Sequence, residues 1–323
     1  MPEWLMYLTN FLYAAILAGV PLLYGTLGEI LTEKAGNLNL GVEGMMYMGA
    51  IIGFWAGYAT DSALMAYLGA FAAGMLGALI YAFLTVTLKA NQNVTGLTLT
   101  IFGIGFANFI GENLILHSAT KSAIVSDALK AQFSEIRIPY LSDIPVIGKL
   151  LFQHTWFVYL GIVLAVIAGL YLYKTRRGLN LRAVGENPAA ADASGINVTL
   201  YKYAHILIGG GVCGLGGAYV SLVTCGGAWT YNCVNGLGWI SVALVIFANW
   251  NPYRALAGSL VFGALSVLRL YLPVAVVKLI PTAVFSMLPF VVTAVVLIMT
   301  SMRMSREHAQ PKGCGVNYFR EER

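Results

Sequence analysis

The sequence predicts an all-α integral membrane protein with about nine transmembrane helices and signs of an inverted internal repeat. Three observations carry this. Of 323 residues, 59% are hydrophobic and only 10% charged, where a soluble domain carries roughly 25% charged residues. The apolar residues fall in stretches of about 18 or more, the length that crosses a hydrocarbon core of roughly 30 Å as helix. Lipid offers no partner to an open sheet edge, so these stretches are helices.

Nine spans follow in order, over 4–24, 41–58, 63–88, 94–116, 156–173, 203–223, 237–248, 255–272 and 281–300. The seventh is short and flanked by glycines, which suits a half-helix. The run Lys174-Thr-Arg176-Arg177 through Arg182 holds four cations and no acid, which assigns it to the cytoplasm. Alternation then puts the N-terminus outside and the C-terminus inside a cytoplasmic (inner) membrane. Thirteen of the nineteen Lys and Arg fall on the inner side, and the six others are Lys121, Lys130, Arg137, Lys149, Arg269 and Lys278. Because the cations mark span ends and form no aromatic-laced patch, the net charge of +5 does not point to nucleic acid.

The chain reads as one transmembrane domain, 1–323, with an outer loop over 117–154, an inner loop over 174–202 and an inner tail over 301–323. Pro139 and Pro145 favour extended backbone in the outer loop. In the inner loop Asn187 is placed to cap a short helix, Pro188 to occupy its first position and Gly195 to stop it. Such a helix is a rigid handle, or else an ordinary connection.

Gly44 to Trp55, a turn and Gly69 to Leu79 resemble Gly238 to Trp250, a turn and Gly258 to Leu265, and an offset of five spans inverts the second copy. Gly49, Gly53 and Gly57 share one helical face and predict close helix packing. Between the first two spans, Gly28-Glu29-Ile-Leu-Thr-Glu33-Lys34-Ala-Gly36-Asn37-Leu-Asn39-Leu-Gly41-Val-Glu43-Gly44 alternates acids, amides and glycines. It suits a cytoplasmic loop or irregular backbone lining a cavity, with Glu29 and Glu33 at the inner interface and Glu43 deeper. Asn108 and Glu112 lie one turn apart in the fourth span, with Asn113 alongside. Asn37, Asn39, Glu43, Asn108, Glu112 and Asn113 are the candidates for a solute path.

Cys213, Cys225, Cys233 and Cys314 lack the spacing of a metal or redox site. Cys225 and Cys233 fall outside on this topology, so a disulfide between them is one reading, and two small apolar residues at the mouth of the bundle the other. G-x-x-x-x-G-K-[ST], H-E-x-x-H and G-x-S-x-G are absent from the sequence, which speaks against ATP binding through that loop and against a membrane enzyme.

The segment from Gly28 to Gly44 resembles the signature of permeases of nucleoside and simple-sugar ABC importers, within the branched-chain amino acid and ribose permease superfamily. Arg182-Ala-Val-Gly-Glu186-Asn187-Pro188-Ala-Ala-Ala-Asp192-Ala-Ser-Gly195-Ile is similar to their cytoplasmic coupling loop, and Asn249-Trp250-Asn251-Pro252 to Gly263 to their late glycine-rich span. The resemblance implies coupling to an ATPase through Arg182, Glu186, Asn187, Pro188, Ala190, Asp192 and Gly195. It also implies a second homologous permease, a cytoplasmic double-cassette ATPase that uses the ATP and Mg, and an extracytoplasmic substrate-binding lipoprotein. No cofactor is expected in this chain. The stretch from Thr224 to Cys233 departs from the family pattern and leaves a simple sugar open as cargo, while a passive channel or secondary carrier is the alternative from another class.

Overall fold

A computed structural model describes residues 2–118, 121–302 and 310–319. Every predicted span falls on a helix. The helices are α1 (Glu3–Lys34), α2 (Val42–Thr60), α3 (Ala63–Ala82), α4 (Gln92–His117), α5 (Asp127–Gln132), α6 (Ile147–Phe152), α7 (Trp156–Lys174), α8 (Arg176–Glu186), α9 (Pro188–Ala193), α10 (Val198–Tyr219), α11 (Leu237–Phe247), α12 (Pro252–Val267), α13 (Val274–Leu279) and α14 (Thr282–Met302). α3 and α10 each end in a π turn, over Phe83–Thr87 and Val220–Thr224. Among the described residues six helices are long and apolar enough to cross a membrane: α1, α3, α4, α7, α10 and α12 with their continuations. α11 is a short apolar helix of 11 residues.

α10 is the central post, packed against α1, α2 and α3. Glycine makes this closeness available, because a Cβ on Gly49 would stand 2.3 Å from the Gly214 backbone and one on Gly74 would stand 2.1 Å from Gly210 O. Gly53 and Gly57 face Ala70 and Ala66, so the predicted small-residue face does form a helix contact. Pro21 lies inside α1 and cannot donate to the carbonyl of Leu17. Tyr219 of α10 takes that place, its hydroxyl donating to Leu17 O at 3.0 Å, which is how a membrane helix re-satisfies a carbonyl freed by proline.

One expectation is corrected, and three segments gain detail. α1 runs on to Lys34, so Gly28 to Lys34 is a buried final part of a helix and not a loop. The segment expected as an inner loop holds two helices, with Thr175 capping α8 through Gly178 N–H at 3.0 Å, ahead of the expected α9. In the segment expected as an outer loop, β1 (Ile136–Arg137) pairs antiparallel with β2 (Gln153–His154), and Ile124 bridges Ala228. Of the two readings for Cys225 and Cys233, the structure has the second, since both are free thiols. Thr230 Oγ1 donates to Cys225 Sγ at 3.4 Å, and their loop is drawn into the bundle through Trp229 and Val234, 5% and 0% exposed. Of the expected inner tail, 303–309 and 320–323 lie outside the described residues.

Candidate functional site

After Lys34 the chain does not leave the protein. Residues 35–41 turn back along α1 as irregular backbone, which when buried needs the protein to supply its hydrogen bonds. Four backbone groups of residues 38–40 find one on a surrounding helix, while Asn37 Oδ1 is buried without a partner. Asn39 N–H donates to Glu29 Oε1 at 2.9 Å, and Leu38 N–H donates to Gln92 Oε1 at 2.8 Å. Tyr81 OH donates to Leu38 O at 2.5 Å, and Thr100 Oγ1 donates to Leu40 O at 3.0 Å. The Asn39 side chain folds back to accept from Gly41 N–H at 2.9 Å. Gly96 of α4 lies against this backbone, where a Cβ would come within 2.6 Å of Leu40 N.

The re-entrant segment delivers α2 with its first turn inside the bundle, and there it meets the first turn of α11. Glu43 spans the junction, accepting from Gly236 N–H and Gly238 N–H at 2.6 Å each. A carboxylate at a helix N-terminus binds orphan amides and the positive end of the dipole together. Gly236 has φ +87, and a Cβ on Gly238 would stand 2.5 Å from Glu43 Cα. Tyr47, one turn on from Glu43, accepts from Asn235 N–H at 3.0 Å.

At the far end of α11 the chain turns through Asn249 and Trp250, both left-handed, with φ of 51° and 54°. Glu33 holds that turn, accepting from Trp250 Nε1 at 2.5 Å. Glu29 and Glu33, expected at the inner interface, are 0% and 2% exposed. They bind, respectively, the re-entrant segment and the α11–α12 turn.

The six path candidates separate. Asn37, Asn39 and Glu43 are buried in this framework. Asn108 lies on the opposite side of α4's close approach to α2, where its Nδ2 donates to Asn232 Oδ1 at 3.2 Å. Its own Oδ1 is buried without a partner, as is Nε1 of Trp229 beside Gly111. Glu112 and Asn113 are exposed on the last turns of α4. Tyr81 and Gln92 were not singled out from sequence, and Trp229 and Trp250 figured there only as members of longer motifs. No local spacing marks any of them, since each acts on a segment distant in sequence.

The handle matches its sequence signals. Asn187 accepts from Ala190 N–H at 3.0 Å, Pro188 opens α9, and Gly195 follows it with φ +83. Glu186, Asn187, Ala190 and Gly195 are exposed, and Arg182 and Asp192 are half-buried. Val184, Ala191 and Val198 form a small core of their own, with Tyr318 against it.

The sequence profile of the "Branched-chain amino acid transport system / permease component" family matches residues 10–297. A putative glucose ABC transporter permease of Haloferax volcanii is 37% identical over 268 residues, 82% of this chain and 78% of that protein. A guanosine ABC transporter permease of Bacillus subtilis is 34% identical over 321 residues, 96% of each chain. A nucleoside ABC transporter permease of Lactococcus lactis is 34% identical over 318 residues, 95% of this chain and 96% of that one. No solved structure matches. A family match across most of the sequence, on a bundle of membrane-length helices, makes this chain a member of the branched-chain amino acid transport system permease family.

Proposed function

We propose that this chain is the permease subunit of an ATP-driven importer for nucleosides. The observation that carries the reading is likeness over 95% or more of both chains to permeases named for guanosine and nucleosides. The physics agrees, because a bundle with a capped surface handle and no G-x-x-x-x-G-K-[ST] in its sequence needs a separate motor. Its partners on this reading are a second permease, a cytoplasmic ATPase and an extracytoplasmic binding lipoprotein. Arg182, Glu186, Asn187, Pro188, Ala190, Asp192 and Gly195 form the surface the motor grips.

The same reading takes nine spans, the N-terminus outside and the C-terminus inside. An inverted repeat is supported by the way α2 and α11, the corresponding elements of its two copies, meet first turn to first turn at Glu43. The solute path runs past Asn108, where an orphan acceptor and the Trp229 indole donor suit the amide and hydroxyl groups of a nucleoside. A simple sugar is the second reading, favoured by the relative from Haloferax volcanii.

Uptake of labelled guanosine, uridine and glucose into vesicles holding the complete transporter separates the two cargoes. Ala190→Arg, or deletion of 187–192, is expected to abolish uptake with membrane insertion intact. Wild-type uptake by either variant would sink the motor-facing role.

A further inference from the structure

Residues 310–319 lie across the end of the bundle that carries α8 and α9, and three sets of contacts seat them. Gly313 N–H donates to Gly185 O at 2.8 Å. Here α1, α8 and the tail touch backbone to backbone, since a Cβ on Gly185 would stand 2.4 Å from Lys34 O and one on Gly313 would stand 2.7 Å from Gly185 O. Asn317 Nδ2 donates to the carbonyls of Lys89 and Ala90 at 2.6 and 3.3 Å, closing the turn between α3 and α4. Gln92 Nε2 donates to Val316 O and to Asn317 Oδ1 at 3.4 and 3.3 Å. Tyr318 OH donates to Asp192 Oδ2 of α9 at 2.7 Å. This strap therefore joins the handle to the end of α1, the helix that carries Glu29 and Glu33.

Between the strap and the α9–α10 turn runs an open groove of about 530 Å³, lined by Lys89, Asp192, Ile196, Asn197, Tyr318 and Phe319. Its lining mixes Ile196, Tyr318 and Phe319 with Lys89, Asp192 and Asn197, and the strap adds an exposed apolar edge, with Phe319 45% and the neighbouring Val316 61% exposed. Exposed apolar side chains beside a recess whose wall carries polar and charged groups are the make-up of a protein contact, an apolar centre with a polar rim.

We propose that the strap is the second half of the surface that receives the ATP-hydrolysing subunit, its groove accepting an apolar side chain of that partner flanked by a carboxylate that meets Lys89. The inference rests on the reading of α9 as the motor-facing handle. Continuity argues for the same partner, since Asp192 belongs to α9, lines the groove and anchors Tyr318. The strap then gives the motor a second lever, and a push on α9 reaches α1 through Gly185 and Gly313 without passing along α10.

The test uses the complete transporter with a tagged permease, and measures the motor retained through purification in detergent. The variants are Val316→Ser with Phe319→Ala, Lys89→Glu, and Ala190→Arg as the reference for the handle. Removing the apolar edge should cut retention about tenfold, the loss typical of an interface anchor. Lys89→Glu should cut it severalfold, and more so at low salt. Wild-type retention by the edge variant, with Ala190→Arg defective, overturns the strap's role and leaves the handle standing. If Ala190→Arg also retains the motor, both readings fall. Should the edge variant unseat the strap, Lys89→Glu reads the groove from its other wall, and wild-type retention there overturns the proposal.

Discussion

Trp250 donates its indole N–H to the carboxylate of Glu33 at 2.5 Å, joining residues 217 positions apart and pinning a turn in which Asn249 and Trp250 are both left-handed. Bulky residues hold that conformation only when their surroundings compel it. Trp250→Phe keeps most of the packing but removes the donor, leaving that buried carboxylate oxygen with the long contact from Cys314 Sγ at 3.9 Å. We expect a loss of about 1 to 3 kcal/mol, read as a lower thermal midpoint in detergent. An unchanged midpoint would show that the turn does not depend on this bond.

Glu43 caps α11 from another helix, so Glu43→Ala should cost at least the roughly 0.5 to 2 kcal/mol of an ordinary cap. Gly238→Ala should be worse, because its Cβ would stand 2.5 Å from the Glu43 backbone, whereas Gly105→Ala meets nothing within 4 Å. The yield of monodisperse protein should rank wild type and Gly105→Ala together, above Glu43→Ala, above Gly238→Ala. A Gly238→Ala variant as well behaved as Gly105→Ala would contradict the close contact.

Asn108 and Asn232 link α4 to the loop before α11. Asn108→Leu should change the relative uptake rates of different nucleosides, and Glu112→Gln the overall rate, with ATP hydrolysis by the assembled transporter little altered. Wild-type kinetics across several nucleosides in both variants would move the path elsewhere.

His154, in β2 and outside the spans, is 1% exposed, and burial holds its imidazole below the usual histidine value despite the bond between Nε2 and Leu150 O at 2.8 Å. The folded state thus binds fewer protons than the unfolded state, and stability rises with pH. Stability should be full above roughly pH 6.5, the unfolded value, and fall as acid is added down to the lowered folded value. Melting curves at pH 7.5 and 5.5 should differ in wild type and converge in His154→Gln. Equal pH sensitivity of the two proteins would remove His154 from the account.

Cys225 and Cys233 should react with an impermeant thiol reagent on intact cells without prior reduction. Cys233 should react slowly at neutral pH, since burial pushes its thiol up to about 12 and little of it is thiolate. Labelling that requires a reductant would restore the disulfide. Labelling of Cys314 alone would overturn the outside placement of the segment.

Much of the architecture was legible because membrane length and apolarity are local properties. The handle was legible to the residue, since Asn187, Pro188 and Gly195 act through backbone geometry within one turn of themselves. The polar segment from Gly28 to Gly44 was legible as unusual but not as structure. Whether Glu29 meets water or Asn39 N–H depends on where the next ten residues go, and helix periodicity carries no signal for a chain that reverses along its own helix.

The sequence by itself determined the class of molecule, the helical segments, the capped handle and the family likeness, each written in composition or in a run of neighbouring residues. Only the tertiary structure decided that α1 continues through the signature to Lys34, that Glu43 caps a helix nearly two hundred positions away, and that residues 310–319 close over the handle. The physical reason is the same in each case. A buried hydrogen-bonding group must be satisfied, but any of several distant segments can satisfy it, and close packing at small residues selects which one comes within reach.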